Sequence, residues 1–448
     1  MKALRKGIIF TICLMLVFSF SLYGQKEKKL TLDQMRMEIA RQGLTFTVGK
    51  TSVSDVPLKK LCGLVEPTDW RQTGKFDGGT KGTRSLPSSW DWRDYGVVTP
   101  IQNQGSCGSC WAFGTIGSYE SCVAVVVGCG PDDLSEEWLL DCNTLGYGCN
   151  GGWWGFPDME DGVPLESDYP YVGVKGTCNT SCTKYHPMED WYYVGSYDDV
   201  PSVTDIKNAM YEHGPIAAAV YVNSYFQNYT EGIFSSGPHS STANHAIVLV
   251  GWNDIGEYWI LKNCWGTGWG ECGYMRIKYG ANNVGYAAAY GVPEEQPHTV
   301  GNTTEFEEIS TSENRRAMPF TMPENGDICS VTMYHNGSDC CCNDMVLGVY
   351  EDDGGAPGNR LAVTPCTAVS GSAGWQTIKL TSPAYVSGDS TVWLACCYQF
   401  NPGIRYQTGS PGGYQSDDTN CSGGMPDPFG SGTQENYIYS IYANYTVD

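Results

Sequence analysis

The sequence predicts an α+β protein in which a mixed helical and stranded region precedes an all-β region. Residues 86–293 are dense in Trp, Gly and Cys and contain one long stretch with apolar residues at helical spacing. Residues 317–448 instead consist of short β-rich stretches separated by clusters of Gly, Pro, Asp and Asn. Between them, residues 294–316 are polar and acidic without an apolar period, which predicts a linker.

The N-terminal end has the features of an exported protein. In residues 1–24, three basic residues precede a short apolar run, and the small Gly24 offers a signal-peptide cleavage site. A membrane anchor is the less favoured alternative, because the run is short for a membrane span. Residues 25–85 are polar and end in an exposed, cleavable linker. We therefore expect a secreted, extracellular protein with no membrane association once the signal is removed.

Charge and cysteine content agree with this expectation. The net charge of -22 argues against nucleic acid as a partner. The 20 cysteines suit an oxidising compartment in which disulfides persist, and Cys13 leaves with the signal peptide. The odd number that remains requires at least one cysteine without a partner inside the chain.

The chemistry of the first region centres on Cys110. Apolar residues follow it at helical spacing, and Gly128 can end this helix. Cys110 is thus expected in the first helical turn, where free backbone N–H groups and the helix dipole favour a thiolate. His245 opens an apolar strand and can act as the proton acceptor, and Asn263 follows 18 residues later, where it can orient the imidazole.

Each of these features has a plainer alternative when it is taken alone. Cys107 and Cys110 have the spacing of a redox CxxC pair. A single histidine at the start of a strand is more often structural, and Asn263 alone is an ordinary strand end.

Together with their neighbours, these residues resemble the papain-like cysteine proteases. Cys107-Gly108-Ser109-Cys110-Trp111 has the form of that family's nucleophile signature. The resemblance extends from Leu86 to about Pro293 and includes, in order, Asp91-Trp92-Arg93, Val98-Thr99-Pro100, Leu134–Cys142, Gly148–Gly152, Asp168–Tyr171 and Asn263–Gly270.

The resemblance implies a role for each matching residue. Cys110 is expected to be the nucleophile, His245 the acid and base, and Asn263 the residue that holds the imidazole, with Trp265 shielding their hydrogen bond. Gln104 is expected to donate its amide N–H to the oxyanion, beside the backbone N–H of Cys110; losing one such donor costs about 3 kcal/mol of transition-state stabilisation.

The resemblance also implies the fold and the substrates. A two-lobed catalytic domain is expected, with a helical lobe, a β-barrel-like lobe and the cleft between them. Gly151 and Gly152 would pair with the substrate backbone. The pocket for P2, the second residue before the scissile bond, would be built from Trp153, Trp154, Ala219 and Ala246, above a floor at Tyr286–Gly291 without an acid. We expect an endopeptidase acting on proteins or peptides as a monomer, with an apolar P2 residue and without a cofactor or metal.

Residues 25–85 are accordingly expected to be a short propeptide that crosses the cleft. Cleavage near Ser85–Leu86 would then mature a zymogen. Cys62 is the only cysteine in this segment. It is either a reversible cap on the catalytic thiol or, as we favour, a stray cysteine.

Three sets of cysteines are assigned partners. The resemblance implies disulfides Cys107–Cys149 and Cys142–Cys178, with Cys182 as another candidate for the second. A bridge between Cys264 and Cys272 is expected because both would lie at facing ends of two strands joined by a tight loop. Cys122 and Cys129 flank the end of the Cys110 helix and are candidates for a local pair.

Residues 317–448 resemble, loosely, the lectin-like β-sandwich modules that follow some papain-like proteases. Glycans are therefore candidate partners, with Tyr406 and Tyr414 as candidate stacking residues. Asp352 and Asp353 suit either calcium or, more often, a turn. Zinc at Cys340–Cys342 is disfavoured because metal-ligand spacing is absent. Two alternatives to proteolysis stay open: an adhesin that carries an incidental protease domain, and a peptide ligase that uses the same acyl chemistry.

Overall fold

The computed structural model describes residues 30–79, 86–197, 199–235, 243–294, 298–310, 312–338, 343–418 and 424–447. The predicted signal peptide, the predicted cleavage point at Ser85 and the cysteines of residues 340–342 lie outside these ranges.

Helices are concentrated in the first part of the chain. They are α1 (Leu32–Gln42), α2 (Leu58–Leu61), α3 (Trp70–Thr73), α4 (Cys110–Val127), α5 (Glu136–Cys142), α6 (Val203–His213) and α7 (Ser224–Gln227), with 3-10 turns at Trp92–Tyr95, Phe156–Asp158 and Ala281–Asn283. Their starts follow local capping chemistry. The side chains of Thr31, Ser135 and Ser202 each accept a hydrogen bond from a backbone N–H of the first turn of the helix they precede.

Strands run through the whole chain. They are β1 (Phe46–Val48), β2 (Ser89–Asp91), β3 (Met188–Tyr193), β4 (Ile216–Val220), β5 (Tyr229–Phe234), β6 (His245–Asn253), β7 (Tyr258–Lys262), β8 (Tyr274–Lys278), β9 (Tyr286–Pro293), β10 (His298–Gly301), β11 (Glu308–Ser310), β12 (Arg316–Thr321), β13 (Gly326–His335), β14 (Asp344–Asp352), β15 (Pro357–Val363), β16 (Thr367–Ala368), β17 (Gly374–Val386), β18 (Thr391–Tyr398), β19 (Ile404–Thr408), β20 (Tyr414–Ser416), β21 (Gly432–Gln434), β22 (Tyr437–Tyr439) and β23 (Ile441–Val447).

The first region packs α4 against a nine-stranded sheet. The strand order is β1-β5-β8-β7-β6-β4-β9-β3, with β2 paired to β6. Helix α4 is apolar enough to cross a membrane by length and composition, but 83% of it is buried inside the protein, as befits a core helix. It ends at Gly128, whose φ of 72° is the left-handed conformation that glycine adopts without strain. These features confirm the predicted α+β class.

The N-terminal segment, residues 30–79, is held along this region. Its strand β1 pairs with β5 and adds an edge to the nine-stranded sheet. Further on, Leu64 forms a parallel bridge with Gly152, and Phe76 forms another with Tyr193. The segment therefore contacts this region at three points along its length, beginning at the sheet edge.

Residues after 297 form a separate all-β region with its own core. One sheet has the order β10-β23-β13-β19-β11 with β17 on β13 and β22 on β19, and the other has the order β15-β14-β18-β12-β20-β21 with β16 on β14. Their apolar faces meet in a common core, to which β13, β14, β18 and β23 contribute. The all-β prediction is confirmed.

The predicted linker at residues 294–316 is corrected by the structure. Within it, β10 pairs with β23, and β11 pairs with β19. These strands are short and lie at sheet edges. Their backbones form hydrogen bonds with one neighbouring strand, and few of their side chains need to be apolar. That composition explains why the segment had no apolar period.

The two regions are joined covalently and by contact. A disulfide links Cys129, just beyond α4, to Cys329 on β13. The Lys379 ammonium on β17 donates to the carbonyl oxygen of Gly96 at 2.7 Å, and burial lowers the pKa of Lys379 to about 8. The expected local pairing of Cys129 with Cys122 is therefore wrong. Cys122 is a buried free thiol on α4.

The candidate ligand residues of the all-β region make contacts within that region. Tyr406 packs against Tyr437, and Tyr414 packs against Trp393 and Phe429. Asp352 accepts hydrogen bonds from the Gly355 N–H and the Trp393 indole, which is the behaviour of a turn residue. Among the described residues, no group of His, Cys, Asp or Glu has the arrangement of a metal site.

Candidate active site

Cys110, His245 and Asn263 are brought together from three elements. Cys110 is the first residue of α4, His245 is the first residue of β6, and Asn263 directly follows β7. The imidazole Nε2 lies 2.8 Å from Asn263 Oδ1. Because an amide oxygen only accepts, Nε2 carries the proton and Nδ1 is left as the basic nitrogen. That Nδ1 is buried and has no hydrogen-bond partner among the described residues.

Aromatic rings and backbone groups enclose the His245–Asn263 bond. The Trp265 ring lies with its centroid 4.7 Å from that of His245, and Trp265 is fully buried. The Cys264 N–H donates to the same Asn263 oxygen at 2.9 Å. Water is thereby kept from the pair, which strengthens the bond that fixes the orientation of the imidazole.

Gln104 lies beside this group with its amide held in one orientation. Its Oε1 accepts from the Trp265 indole N–H at 3.0 Å. Its Nε2 donates to the carbonyl oxygen of Cys107 at 2.7 Å and to that of Leu61, in the N-terminal segment, at 3.1 Å. The N–H group expected to meet an oxyanion is thus directed at a carbonyl oxygen of the segment that covers the site.

The N-terminal segment fills the cleft in a way that offers Cys110 nothing to attack. The group presented to the Cys110 Sγ is the Gly63 N–H, with N and S 3.3 Å apart. An N–H donor is not an electrophile. The segment also bonds to both backbone groups of Gly152. The Gly152 N–H donates to the Gly63 carbonyl oxygen at 2.9 Å, and the Gly152 carbonyl oxygen accepts from the Val65 N–H at 2.8 Å. Gly151 instead bonds to Gly148 within its own loop.

This path depends on close backbone contacts. A Cβ on Gly63 would come within 1.8 Å of the Gly108 carbonyl oxygen. A Cβ on Gly151, which has a φ of 124°, would come within 2.6 Å of the Val65 side chain and 2.7 Å of the Gly63 carbonyl oxygen. Only glycine fits at either position in this arrangement.

Burial keeps the thiol and the imidazole neutral while the segment is in place. Burial raises the pKa of Cys110 to about 11, against the opposing effect of nearby backbone N–H groups including that of Gly63. Burial lowers the pKa of His245 to about 4, although its hydrogen bond with Asn263 favours the protonated ring. The thiolate expected from the helix N-terminus is therefore not the stable form while the segment is in place.

Labelling of Cys110 is expected to report this difference. In the full-length chain the rate of alkylation by iodoacetamide should be very low at pH 7 and rise with pH, because a thiol with a pKa of about 11 is almost wholly protonated at neutral pH. Removing residues 25–85 removes part of the burial, lowers the thiol pKa and should speed labelling at pH 7 by at least 100-fold. Mass spectrometry of the Cys110 peptide measures the rate, with a Cys272→Ala variant as background. Equal rates in both forms would contradict this account.

A buried polar chain ties the two sides of the site together. Lys262, the last residue of β7, donates to Thr99 Oγ1 at 2.7 Å, and Thr99 donates to Glu120 on α4 at 2.6 Å. Burial raises the pKa of Glu120 to about 7 and lowers that of Lys262. Because Asn263 follows Lys262, the chain helps to fix Asn263 relative to the helix that carries Cys110.

Two of the residues expected to form the P2 pocket lie side by side in the sheet. Ala219 on β4 pairs with Ala246 on β6 and with Tyr286 on β9. Trp153 and Trp154 are both buried, and the Trp154 indole donates to the Ala287 carbonyl oxygen at 3.0 Å.

An acid that the sequence did not suggest lies beside this floor. The carbonyl oxygen of Asp199 accepts from the Ala287 N–H at 2.8 Å, and its carboxylate accepts from Arg71 of the N-terminal segment. Arg71 also donates to the Tyr286 hydroxyl at 2.7 Å, while Trp70 lies with its ring centroid 5.8 Å from that of Trp153. Asp199 comes from a loop far from the floor in sequence, so no local pattern could have indicated it.

The structure contains two of the expected disulfides, Cys107–Cys149 and Cys142–Cys178. The first leaves Cys110 as a free thiol, which excludes a Cys107–Cys110 redox pair. Cys62 is also a free thiol, so no covalent cap joins it to Cys110. Burial and the neighbouring Cys110 raise its pKa.

The predicted Cys264–Cys272 bridge is wrong. Both are free thiols. The strands pair as expected, since the Asn263 N–H donates to the Gly273 carbonyl oxygen. However, the Cys264 side chain faces the interior, where its sulfur donates to Gln104 Oε1 at 3.0 Å, whereas Cys272 has a φ of 56° and is exposed. The two side chains thus lie on opposite sides of the turn.

Comparison with known proteins identifies the region around this site. Residues 86–293 match the model of the papain family cysteine proteases. Over 250 residues the chain is 36% identical to ananain from Ananas comosus. This alignment covers 53% of this chain and 70% of ananain. Over 269 residues it is 38% identical to pro-cathepsin H from Bos taurus. This alignment covers 56% of this chain and 77% of the relative.

A solved structure supports the same assignment. The procathepsin L2 proteinase from the larval midgut of Tenebrio molitor matches with a TM-score of 0.54 and 27% sequence identity, over 64% of this chain and 99% of that chain. The chain therefore belongs to the papain family of cysteine proteases.

Proposed function

We propose that this papain-family cysteine endopeptidase is secreted as a zymogen and, once residues 25–85 are removed, cleaves peptides with an apolar P2 residue. The observation that carries the proposal is the cleft itself. Cys110, His245, Asn263 and Gln104 converge there, and the N-terminal segment contacts Cys110 through Gly63 and Gln104 through Leu61.

In the proposed mechanism, Cys110 gives up its thiol proton to His245 Nδ1 and its sulfur attacks the carbonyl carbon of the scissile bond. The carbonyl oxygen becomes an oxyanion that accepts from Gln104 Nε2 and the Cys110 N–H. Collapse of the intermediate breaks the C–N bond, and His245 gives its proton to the leaving amine. Water then hydrolyses the thioester with His245 as base, which restores the Cys110 thiol. Asn263 keeps the imidazole aligned throughout.

The zymogen proposal rests on how the N-terminal segment occupies these groups. The Leu61 carbonyl oxygen accepts a hydrogen bond from Gln104 Nε2, and the Gly63 N–H contacts the Cys110 sulfur. Leu64 and Val65 run along Gly152, and Trp70 and Arg71 cover the region of the P2 pocket. A segment with this many substrate-like contacts inhibits by occupation, and its release opens the whole cleft.

Cleavage of a peptide library by the processed enzyme tests the P2 preference. Trp153, Trp154, Ala219 and Ala246 offer apolar walls, so Leu, Val, Phe or Tyr at P2 is expected to exceed Arg. An Arg-led profile that collapses in an Asp199→Asn variant would overturn the apolar pocket and identify Asp199 as its acidic end.

The same preparation separates proteolysis from the other functions. A thiol-reactive epoxide is expected to label Cys110 and stop cleavage. An adhesin with an incidental domain would neither cleave nor be labelled at Cys110. A ligase would be labelled but would form peptide bonds to an added amine in preference to hydrolysis.

Within the proposal, the all-β region serves substrate or glycan contact away from the cleft. Its disulfide lies just beyond the C-terminal end of α4, whereas Cys110 lies at the N-terminal end. The region is therefore attached at the end of α4 that is remote from Cys110.

A further inference from the structure

We propose that Cys264 is a positioning residue whose thiol holds the side-chain amide of Gln104 in the orientation needed to stabilise the oxyanion. The inference rests on the proposed function of Gln104 as oxyanion donor. It assigns a part in catalysis to a second cysteine of the cleft, one that does not touch the substrate.

Cys264 contacts both halves of the catalytic machinery. Its N–H donates to Asn263 Oδ1 at 2.9 Å, the oxygen that also holds His245. Its carbonyl oxygen accepts from the Gln104 backbone N–H at 2.9 Å. Its Sγ lies 3.0 Å from Gln104 Oε1. With 6% of its surface exposed, Cys264 makes these contacts in a site from which water is largely excluded.

The identity of the amide atoms follows from these partners. An indole N–H can only donate, so the Gln104 atom 3.0 Å from Trp265 Nε1 must be the oxygen. The nitrogen is then directed to the opposite side, towards the carbonyl oxygens of Cys107 and of Leu61 in the N-terminal segment. This is the side on which a substrate oxyanion must be met.

Two donors constrain the amide more than one does. The Trp265 N–H holds the amide oxygen and the Cys107 carbonyl oxygen holds the amide nitrogen, and both partners remain when the N-terminal segment is removed. The Cys264 S–H approaches the same oxygen as a second donor, so the oxygen stays directed away from the substrate while the nitrogen exchanges Leu61 for the oxyanion. Burial raises the pKa of Cys264 far above that of a free thiol, so the sulfur keeps its proton and remains a donor at neutral pH.

Substitutions at Cys264 in the processed enzyme test the proposal. Cys264→Ala and Cys264→Val remove the donor, and Val keeps most of the volume if Ala proves unstable. Both are expected to lower kcat about tenfold with KM changed less than threefold, as for one lost hydrogen bond. Cys264→Ser keeps an O–H donor and should retain kcat within about threefold. Cys272→Ala, which removes an exposed thiol from the same turn, is the matched control and should behave as wild type.

Two further readouts separate positioning from general damage. Affinity for a peptide aldehyde, whose adduct with Cys110 carries an oxyanion, should fall with kcat, while alkylation of Cys110 by iodoacetamide should be unchanged. In a Gln104→Ala background, Cys264→Ala should lower kcat no further. Unchanged kcat in both Ala and Val variants, additive effects in the double variant, or an equal fall in the alkylation rate would each overturn the proposal. An inactive wild-type enzyme would instead refute the proposed function.

Discussion

The Cys110→Ala variant is expected to show no detectable peptide cleavage and to remain unprocessed near Ser85–Leu86. Without the sulfur no thioester forms, and losses on the order of 10⁶ in kcat are typical when a protease nucleophile is removed. The fold should survive, because the change removes only one sulfur atom, although from a buried site in the first turn of α4. Cleavage is measured with a fluorogenic peptide, and processing by intact mass of a purified preparation.

Two controls make this result specific. Cys272→Ala removes an exposed thiol and should process and cleave normally. Adding a trace of processed wild-type enzyme to the Cys110→Ala chain should restore cutting near residue 85 if processing occurs between molecules. Spontaneous maturation of the pure variant would show that Cys110 is not the nucleophile for this step.

Gln104→Ala is expected to lower kcat by 10²- to 10³-fold, with KM changed little, because a donor directed at the developing oxyanion stabilises the transition state more than the bound substrate. The variant also loses the bond from Gln104 Nε2 to the Leu61 carbonyl, so it should hold the N-terminal segment less tightly. Steady-state kinetics on the processed enzyme measure the first effect.

Gln102→Ala provides the matched control for this variant. Gln102 lies two residues away, and its amide donates to Asp133 at 3.0 Å, outside the catalytic group. Its loss should leave kcat near the wild-type value. A Gln104→Ala enzyme with normal kcat would mean that the backbone N–H of Cys110 alone supports the oxyanion.

Local patterns in the sequence predicted the elements that carry the reacting groups. The apolar spacing after Ser109 and the stop at Gly128 match α4, and His245 and Asn263 lie at the start of β6 and the end of β7 as expected. Such features depend on neighbours within a few turns or strands, where spacing and capping determine structure.

The features that sequence analysis missed depend on contacts between distant segments. Cys129 pairs with Cys329, 200 residues away, rather than with nearby Cys122. Cys264 faces Gln104 because the helix and sheet meet there, although strand pairing alone would have placed it opposite Cys272. The Cys110 sulfur likewise contacts Gly63, in a segment nearly 50 residues earlier in the chain. Periodicity and pairwise spacing contain no information about contacts between segments that are distant in sequence.

The position of the Cys129–Cys329 disulfide determines how far a target held beside it would have to reach to meet Cys110. Helix α4 has 18 residues, so its two ends lie about 27 Å apart. A polypeptide anchored near the disulfide would need roughly eight extended residues to bring a peptide bond to Cys110. A compact target bound there would not be cleaved unless it had a long flexible terminus or loop. The enzyme would then select flexible segments by their length as well as by their sequence.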